Sequence, residues 1–345
     1  MSVMRPPSRV TAQDVAKRAG VSASAVSRVF TPGASASKRT AEKVREAAQA
    51  LGYRPSLLAR SLITGRTRII GLVVAYLDNQ FYPIALERLS RALQAEGYHV
   101  LVILAPNTEE GIEPVVQELL DYQVDGLITA SVAMTNTLTA GCEANGIPVV
   151  MFNRGQVDPR LSEVTSDNFD GGFQAAQALV DAGARKIAHI SGWAGSSTGR
   201  DRADGFVAGL AQAGLSPTQV LDGAYKREKA QAAAREIFGT PDRPDAVFVG
   251  SDHMALGVLS VLRFELGLRV PSDVQVIGFD DVPMASWPEF DLTTVAQPLD
   301  KMVAASVEIM MRKISDGPAA QPQKRKLPCR LIRRGSTRNP GNGLQ

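Results

Sequence analysis

The 345 residues of this chain predict a multi-domain protein with an all-α helix-turn-helix head, a short hinge helix and an α/β body built on parallel sheets. Three observations predict it. Apolar residues recur at helical spacing through about residue 51, and from residue 69 they become short continuous apolar runs alternating with amphipathic helices. Between the two patterns lies YRPSLLARSLITGRT, in which Pro55 can open a new helix and Gly65 can close it. Charge divides at the same place. Residues 1–66 hold twelve Lys and Arg against three acids, a net +9, so the rest of the chain carries −6 of the overall +3.

Residues 1–10, with Pro6-Pro7, are expected to be a disordered lead, followed by a head over 11–54. Thr11 and Asp14 fit the helix-start pattern in which a hydroxyl and a carboxylate satisfy orphan amides. Val15, Ala16 and Ala19 give that helix one apolar face. Gly20 ends it, Val21 fills the corner and Ser22 caps the next helix. Val26 and Val29 turn the second helix inward, leaving Ala23, Ser24, Ser27 and Arg28 outside. After the loop TPGASASKRT, a third helix is expected from about Ser37 to Leu51, with Val44, Ala48 and Leu51 inward and Gly52 as its stop. This is the layout of a helix-turn-helix whose second helix enters the DNA major groove, and the basic charge agrees with a polyanion partner. SLLARSL, within the hinge at 55–67, is shorter than the roughly 12 residues at which isolated helices become marginal, so a partner chain or DNA must order it.

From residue 69, IIGLVVAYL reads as a strand buried on both faces. A helix from Pro83 to Gly97, the strand HVLVILA and a helix from about Glu110 to Tyr122 follow. DGLITAS, IPVVMFN, KIAHISG, DAVFVGS and VQVIGFD read as further buried strands. Helices are expected near Gly171–Gly183, Arg202–Gly214, Glu228–Phe238, Asp252–Gly267 and Pro298–Ser315. Repeated strand–helix units imply right-handed crossovers, and about ten strands fit two sheets better than one. Ligands of such folds bind beyond the carboxyl ends of the strands. Those ends carry Asp78-Asn79, Asn153-Arg154, Gly192–Arg202, Ser251-Asp252 and Asp280-Asp281, a set suited to a small polyhydroxylated or acidic ligand.

Enzyme chemistry is not expected. No Gly-x-Gly-x-x-Gly, Gly-x4-Gly-Lys-Ser/Thr, His-Glu-x-x-His or Cys-x-x-Cys occurs, so no cofactor, metal site or catalytic residue is predicted. His99, His189 and His253 are scattered. His189 reads as a satisfied core residue, and His253 as the one histidine placed for a ligand contact. Asp252 is expected to cap the helix it begins. Cys142 and Cys329 form no motif, the first residues lack the apolar run of a secretory leader, and no run reaches the roughly 18 apolar residues of a membrane span. A cytoplasmic protein without membrane partners is therefore expected. A ligand-binding protein without DNA function is the alternative, but it leaves the basic head unexplained.

DVAKRAGVS, AVSRVF, ALGYRP and ARSL, followed by SDNFDGG, RADGF, SDHMALG, VIGFDD, LTTVAQP and LIRRGST, resemble the LacI/GalR family of transcription regulators, in its order and approximate spacing over about residues 11–337. The resemblance implies a repressor that binds a pseudo-palindromic operator as a homodimer or tetramer, controlled by a small polar effector such as a sugar or sugar acid. It implies a two-lobed, periplasmic-binding-protein-like body over 68–337, with one lobe from about 68–166 and 298–326, the other from 167–297 and 327–337, and a tail at 338–345. The tail lacks a leucine heptad, which argues against a tetramer. By position, Ala23, Ser24 and Arg28 read bases, and Ser22, Ser27, Thr31 and Thr40 contact phosphates. Ala59 and Leu62 pack into the minor groove, with Leu62 as the wedge. Arg202 and Asp280 hold the effector, with Thr198, Tyr225, Ser251 and Asp170 as further contacts and Phe81 or Tyr82 stacking on a ring. The sequence departs from the family pattern at Ala25, at TPGAS and at Ile63.

Overall fold

The computed structural model describes residues 10–31, 34–54, 65–75, 77–105, 109–132 and 134–339, and its contacts divide into two units that meet between Arg68 and Ile69. In the first unit, local side-chain chemistry places each helix start. Helix α1 (Ala12–Ala19) opens on a reciprocal box: Asp14 N donates to Thr11 Oγ1 at 3.3 Å and Thr11 N to Asp14 Oδ2 at 2.9 Å. Gly20 ends it in the left-handed region at φ 65°, which an L side chain resists. Ser22 and Ser37 cap α2 (Ala23–Phe30) and α3 (Lys38–Leu51) by accepting from Ala25 N and Thr40 N. Val15, Val26 and Val44, one from each helix, are fully buried at the centre, and Val29 and Leu51 lie at the rim.

The second unit contains two six-stranded sheets. In chain order the first lobe holds β1 (Ile69–Val74), α4 (Phe81–Ala95), β2 (His99–Leu104), α5 (Glu109–Asp121), β3 (Gly126–Ala130), α6 (Asn136–Ala144), β4 (Val149–Phe152) and β5 (Ser162–Ser166). The second holds α7 (Asn168–Asp181), β6 (Ile187–Ser191), α8 (Ser197–Gln212), β7 (Val220–Asp222), α9 (Arg227–Phe238), β8 (Ala246–Val249), α10 (Asp252–Ser260), β9 (Gln275–Asp280) and β10 (Thr293–Ala296). The chain then returns through α11 (Leu299–Asp316) and β11 (Lys324–Leu327) to the first sheet and ends with β12 (Arg330–Ile332) in the second. The strand orders are β11-β5-β4-β3-β1-β2 and β12-β10-β9-β8-β6-β7, parallel except for β10 against β12. The predicted two-sheet parallel body is present. No described helix is long and apolar enough to cross a membrane.

Several boundaries differ from expectation for local reasons. Helix α4 starts at Phe81 because Phe81 N donates to Asn79 Oδ1 at 3.1 Å, and Pro83 sits in a first turn where no amide partner is lost. Helix α8 starts at Ser197, five residues before Arg202, because Ser196 caps it through Gly199 N. The helix expected to reach Gly267 changes at Val261 to a π-helical turn. Strand β2 is at an edge, so Val102 and Leu104 are exposed instead of buried. Helix α6 and strands β5, β7, β10 and β11 were not anticipated from apolar runs. In β5 (SEVTS) buried hydroxyls stand where apolar groups would mark a strand: Ser162 Oγ accepts from Gln323 N at 3.1 Å. Strand β11 (KRKL) is anchored by ion pairs, with Arg325 clamping Glu308 at 2.7 Å.

The chain passes between the sheets three times, after Ser166, after Ala296 and after Leu327. The crossings are tied together. Asp167 N donates to Leu327 O at 2.7 Å, and Ser166 Oγ donates to Gln297 Oε1 at 2.6 Å.

His189 lies on β6 in the second lobe's core, stacked on Phe248 with centroids 5.0 Å apart. Its Nδ1 bonds Phe248 O at 3.0 Å, but buried Nε2 has no partner, so the expected satisfied histidine is only half satisfied. Burial lowers its pKa from 6.5 to about 4. A depressed histidine contributes stability that is complete above its unfolded pKa and is lost as pH falls toward the folded one. In denaturant melts wild type should therefore lose about 2–3 kcal/mol relative to His189→Leu between pH 7 and pH 4.5. The paired comparison cancels the buried carboxylates, which titrate in the opposite sense; a constant gap would refute the assignment.

Candidate functional site

On the head, Ser22, Ala23, Ser24 and Arg28 are exposed, whereas Ser27, Thr31 and Thr40 are partly buried. The Arg28 side chain is exposed and makes no hydrogen bond or ion pair among the described residues, so its five donors are available. The hydroxyls are less free than their positions suggest. Thr31 Oγ1 donates to Ser27 O at 2.9 Å, and Thr40 Oγ1 is hydrogen-bonded to Ser37 Oγ at 2.8 Å. Ser22 Oγ accepts from Ala25 N and lies 2.9 Å from Ser24 Oγ. Ala59, Leu62 and Ile63 lie outside the described residues.

The body's cleft runs between the carboxyl ends of the two sheets. Asn79, Phe81, Tyr82, Ser131 and Asn153 line it from the first lobe, and Thr198, Arg202, Tyr225 and Asp280 from the second. The lobes are closed on a residual cavity of about 20 Å³, roughly room for one water. Four lining residues hold positive φ: Ser131 at 64°, Asn153 at 66°, Tyr225 at 57° and Asp280 at 126°. Such backbone costs about 1–3 kcal/mol at each non-glycine residue and gathers at ligand sites.

Arg202 is at the centre of the polar network and is 3% exposed. Its Nε donates to Asn168 Oδ1 at 2.9 Å, and its Nη1 donates to Gly250 O at 2.6 Å and lies 3.4 Å from Asp280 Oδ1. The guanidinium stacks 3.6 Å above the Phe279 ring centroid. Two glycines place it there. A Cβ on Gly172 would come within 2.1 Å of Arg202 O, and one on Gly205 within 1.9 Å of Phe169 O. Only bare backbone lets α7 and α8 approach this closely.

Asp280 Oδ1 also accepts from Gln297 Nε2 at 2.7 Å, linking the cavity to the Gln297–Ser166 contact between crossings. Burial pushes the Asp280 carboxyl up and Arg202 pulls it back. The Asp252 carboxyl is raised by burial and by Asp280, but it does not cap α10 as expected. Ser251 Oγ caps that helix through Met254 N, while Asp252 accepts from Thr294 Oγ1 at 2.6 Å and Val282 N at 3.0 Å. On the opposite wall Tyr82 Oη meets Ser131 Oγ and accepts from Asn153 Nδ2 at 3.1 Å, and burial pushes its pKa up to about 12. Asn153 Oδ1 is buried without a partner, an acceptor available to a ligand. Thr198 Oγ1 lies 3.2 Å from Tyr225 Oη.

Of the expected effector contacts, the structure brings Arg202, Asp280, Thr198, Tyr225 and Phe81 to one cavity. Ser251 is the helix cap, and Asp170, outside the lining, accepts from Gln174 Nε2 at 2.6 Å. His253 does not line the cavity either; its Nε2 lies 3.9 Å from Asp78 Oδ2 of the opposite lobe. Asn79 and Asn153 were expected among the polar groups at strand ends but not among the effector contacts, and Ser131, directly after β3, was not singled out.

Two family models match the chain: bacterial regulatory proteins of the lacI family over residues 11–56, and a periplasmic binding protein-like domain over 176–337. The HTH-type transcriptional repressor PurR of Vibrio vulnificus (strain CMCP6) is 32% identical over 309 residues, 89% of this chain and 92% of the relative. The ribose operon repressor of Escherichia coli (strain K12) is 32% identical over 332 residues, 94% of this chain and 99% of that protein. Among solved structures, a lac repressor dimer bound to operator and the anti-inducer ONPF matches with a TM-score of 0.86 at 26% identity, over 96% of this chain and 100% of that one. A complex of the transcriptional regulator CelR with cellobiose matches with a TM-score of 0.71 at 32% identity, over 95% and 100%.

Gly205→Ala should push α8 off α7, lower stability by about 1–3 kcal/mol as overpacking does, and displace Arg202 from Phe279. Chemical denaturation measures the first effect and a crystal structure of the variant the second; an unmoved guanidinium would show that the glycine does not position it.

Proposed function

The chain belongs to the LacI family of bacterial regulatory proteins, and from that premise we infer that it is a transcriptional repressor whose grip on operator DNA is set by a small neutral sugar in the body's cleft. Its relatives are repressors rather than enzymes, and no catalytic step is assigned. The observation that carries the reading is the pairing, in one chain, of an outward, unpaired Arg28 on a helix-turn-helix with a cleft whose polar network is bonded to its own hinge.

On the head, Arg28 reads a guanine through its two-pronged donor geometry. Ser22, Ser24 and Ser27 contact phosphates or base edges around it. Ala23 lets the helix approach closely. Thr31 and Thr40 contact phosphate only by exchanging their present bonds.

Cavity chemistry favours a neutral ring over a sugar acid. Arg202 is the cation among the lining residues; its charge is met by Asp280, and its Nε and Nη1 donate to Asn168 and Gly250. Phe81 and Tyr82 offer ring faces, and Asn153 Oδ1, Thr198 and Tyr225 offer hydroxyl partners. A ribose operon repressor among the relatives and a neighbour complexed with cellobiose agree with this chemistry.

A homodimer is supported by apolar groups left in water on both lobes: Phe264 is 84% exposed and Trp287 47% on the second, and Val102 and Leu104 stand on the β2 edge of the first. A ligand hydroxyl on Asp280 competes with Gln297, which holds Ser166 at the first crossing. Lobe geometry, and with it the spacing of the two heads, is the bistable element that DNA and ligand both bias.

Two measurements test this. Fluorescence anisotropy on a pseudo-palindromic duplex selected by the protein from a random pool should show affinity moved by one member of a sugar panel. A sugar that raises the melting temperature yet leaves DNA affinity unchanged would refute the control mechanism, and failure to enrich any duplex would favour a ligand-binding protein without DNA function. Arg28→Ala should cost about 1–3 kcal/mol at one operator position and relax its base preference; an equal loss on all sequences would make Arg28 a phosphate contact.

A further inference from the structure

The two lobes are joined at the mouth of the cleft, away from the crossings. Arg154 follows β4 on the first lobe and is 6% exposed. Its Nη1 donates to Ser131 O of its own lobe at 3.2 Å and its Nη2 to Gly195 O of the opposite lobe at 3.2 Å. The guanidinium also lies 5.1 Å from the ring centroid of Trp193, again on the second lobe. Beside it Gly155 N donates to Ser197 Oγ at 3.0 Å. The receiving loop is built within the second lobe. Ser196 Oγ donates to Trp193 O at 2.8 Å and accepts from Gly199 N at 3.0 Å. A Cβ on Gly195 would stand 2.2 Å from the indole, so glycine alone lets Trp193 fold back over its own loop.

We propose that Arg154 is a latch that holds the lobes closed before any ligand enters and thereby sets effector affinity. The inference rests on the cleft being the effector site. Arg154 does not line the cavity, so it is a positioning residue and acts through the equilibrium between open and closed lobes. A guanidinium over an indole is bound more strongly when desolvated, and its hydrogen bonds are charge-assisted. The closed cavity has room for about one water, so a sugar enters only when the lobes part; breaking the latch enlarges the binding-competent fraction, and apparent affinity rises with it.

Double electron–electron resonance on the full chain, spin-diluted with unlabelled protein, reads lobe separation directly. Nitroxides at Ala140→Cys and Ala211→Cys stand at exposed positions on α6 and α8, one in each lobe, and both native cysteines are buried. Without ligand, wild type should give one narrow distribution, which Arg154→Gln and Trp193→Leu each move to longer distances. With D-ribose and D-glucose as probes, the sugar that binds wild type should bind both variants roughly tenfold more tightly, because no latch has to be broken to admit it. Distributions identical in wild type and both variants would overturn the latch, whatever the sugars do. A shifted distribution with neither sugar bound would support the latch and count against the neutral-sugar reading of the cleft.

Discussion

The body depends on a pair of opposite charges kept out of water where its two lobes meet. Arg202 and Asp280 are 3% and 7% exposed, and burying two ions costs more than their attraction returns unless other groups complete their bonding. Here Asn168 and Gly250 accept from Arg202 Nε and Nη1, the Phe279 face lies under its guanidinium, and Gln297 donates to Asp280. Two of these partners belong to the crossings between lobes: Asn168 follows the first and Gln297 begins the second. The electrostatics of the cavity and the mechanics of the hinge are therefore one bonded network. A ligand cannot exchange bonds with Asp280 without changing what Gln297 does for Ser166.

Much of this fold was legible because much of it is local. Thr11, Asp14, Ser22 and Ser37 cap helices with their own neighbours, so spacing in the chain is spacing in the molecule. Continuous runs such as IIGLVV and QVIGFD mark central parallel strands because both faces are covered. The misses share a physical cause, which is that their partners are distant in sequence. Ser162 and Ser166 are buried in a strand because Gln323 and Gln297 receive them. Lys324 and Arg325 extend the sheet because Glu163 and Glu308 neutralise them.

The cavity divides along the same line. Arg202, Asp280, Thr198, Tyr225 and Phe81 were visible through motif resemblance and Asn153 through its place at a strand end, whereas Ser131 was not, because what marks it is backbone conformation. The family motifs also acquire physical content. The glycines of SDNFDGG and RADGF are the points where α7 and α8 touch backbone to backbone, which explains why Gly172 and Gly205 accompany the arginine they position. Asp252, inside SDHMALG, ties the ends of β8, β9 and β10 together instead of capping a helix.

The ring of left-handed residues around the cavity bears on how such a protein changes its ligand. Ser131, Asn153, Tyr225 and Asp280 stand on backbone that strains β-branched replacements and favours glycine, asparagine and aspartate, so drift at these positions is narrowed. Phe81 and Thr198 begin ordinary helical turns and carry no such restriction. A lineage acquiring a new ligand, or an engineer building a biosensor from this chain, meets no backbone restriction at those two walls and a narrower alphabet at the others. The floor of the cavity is inherited, and its walls are where novelty enters.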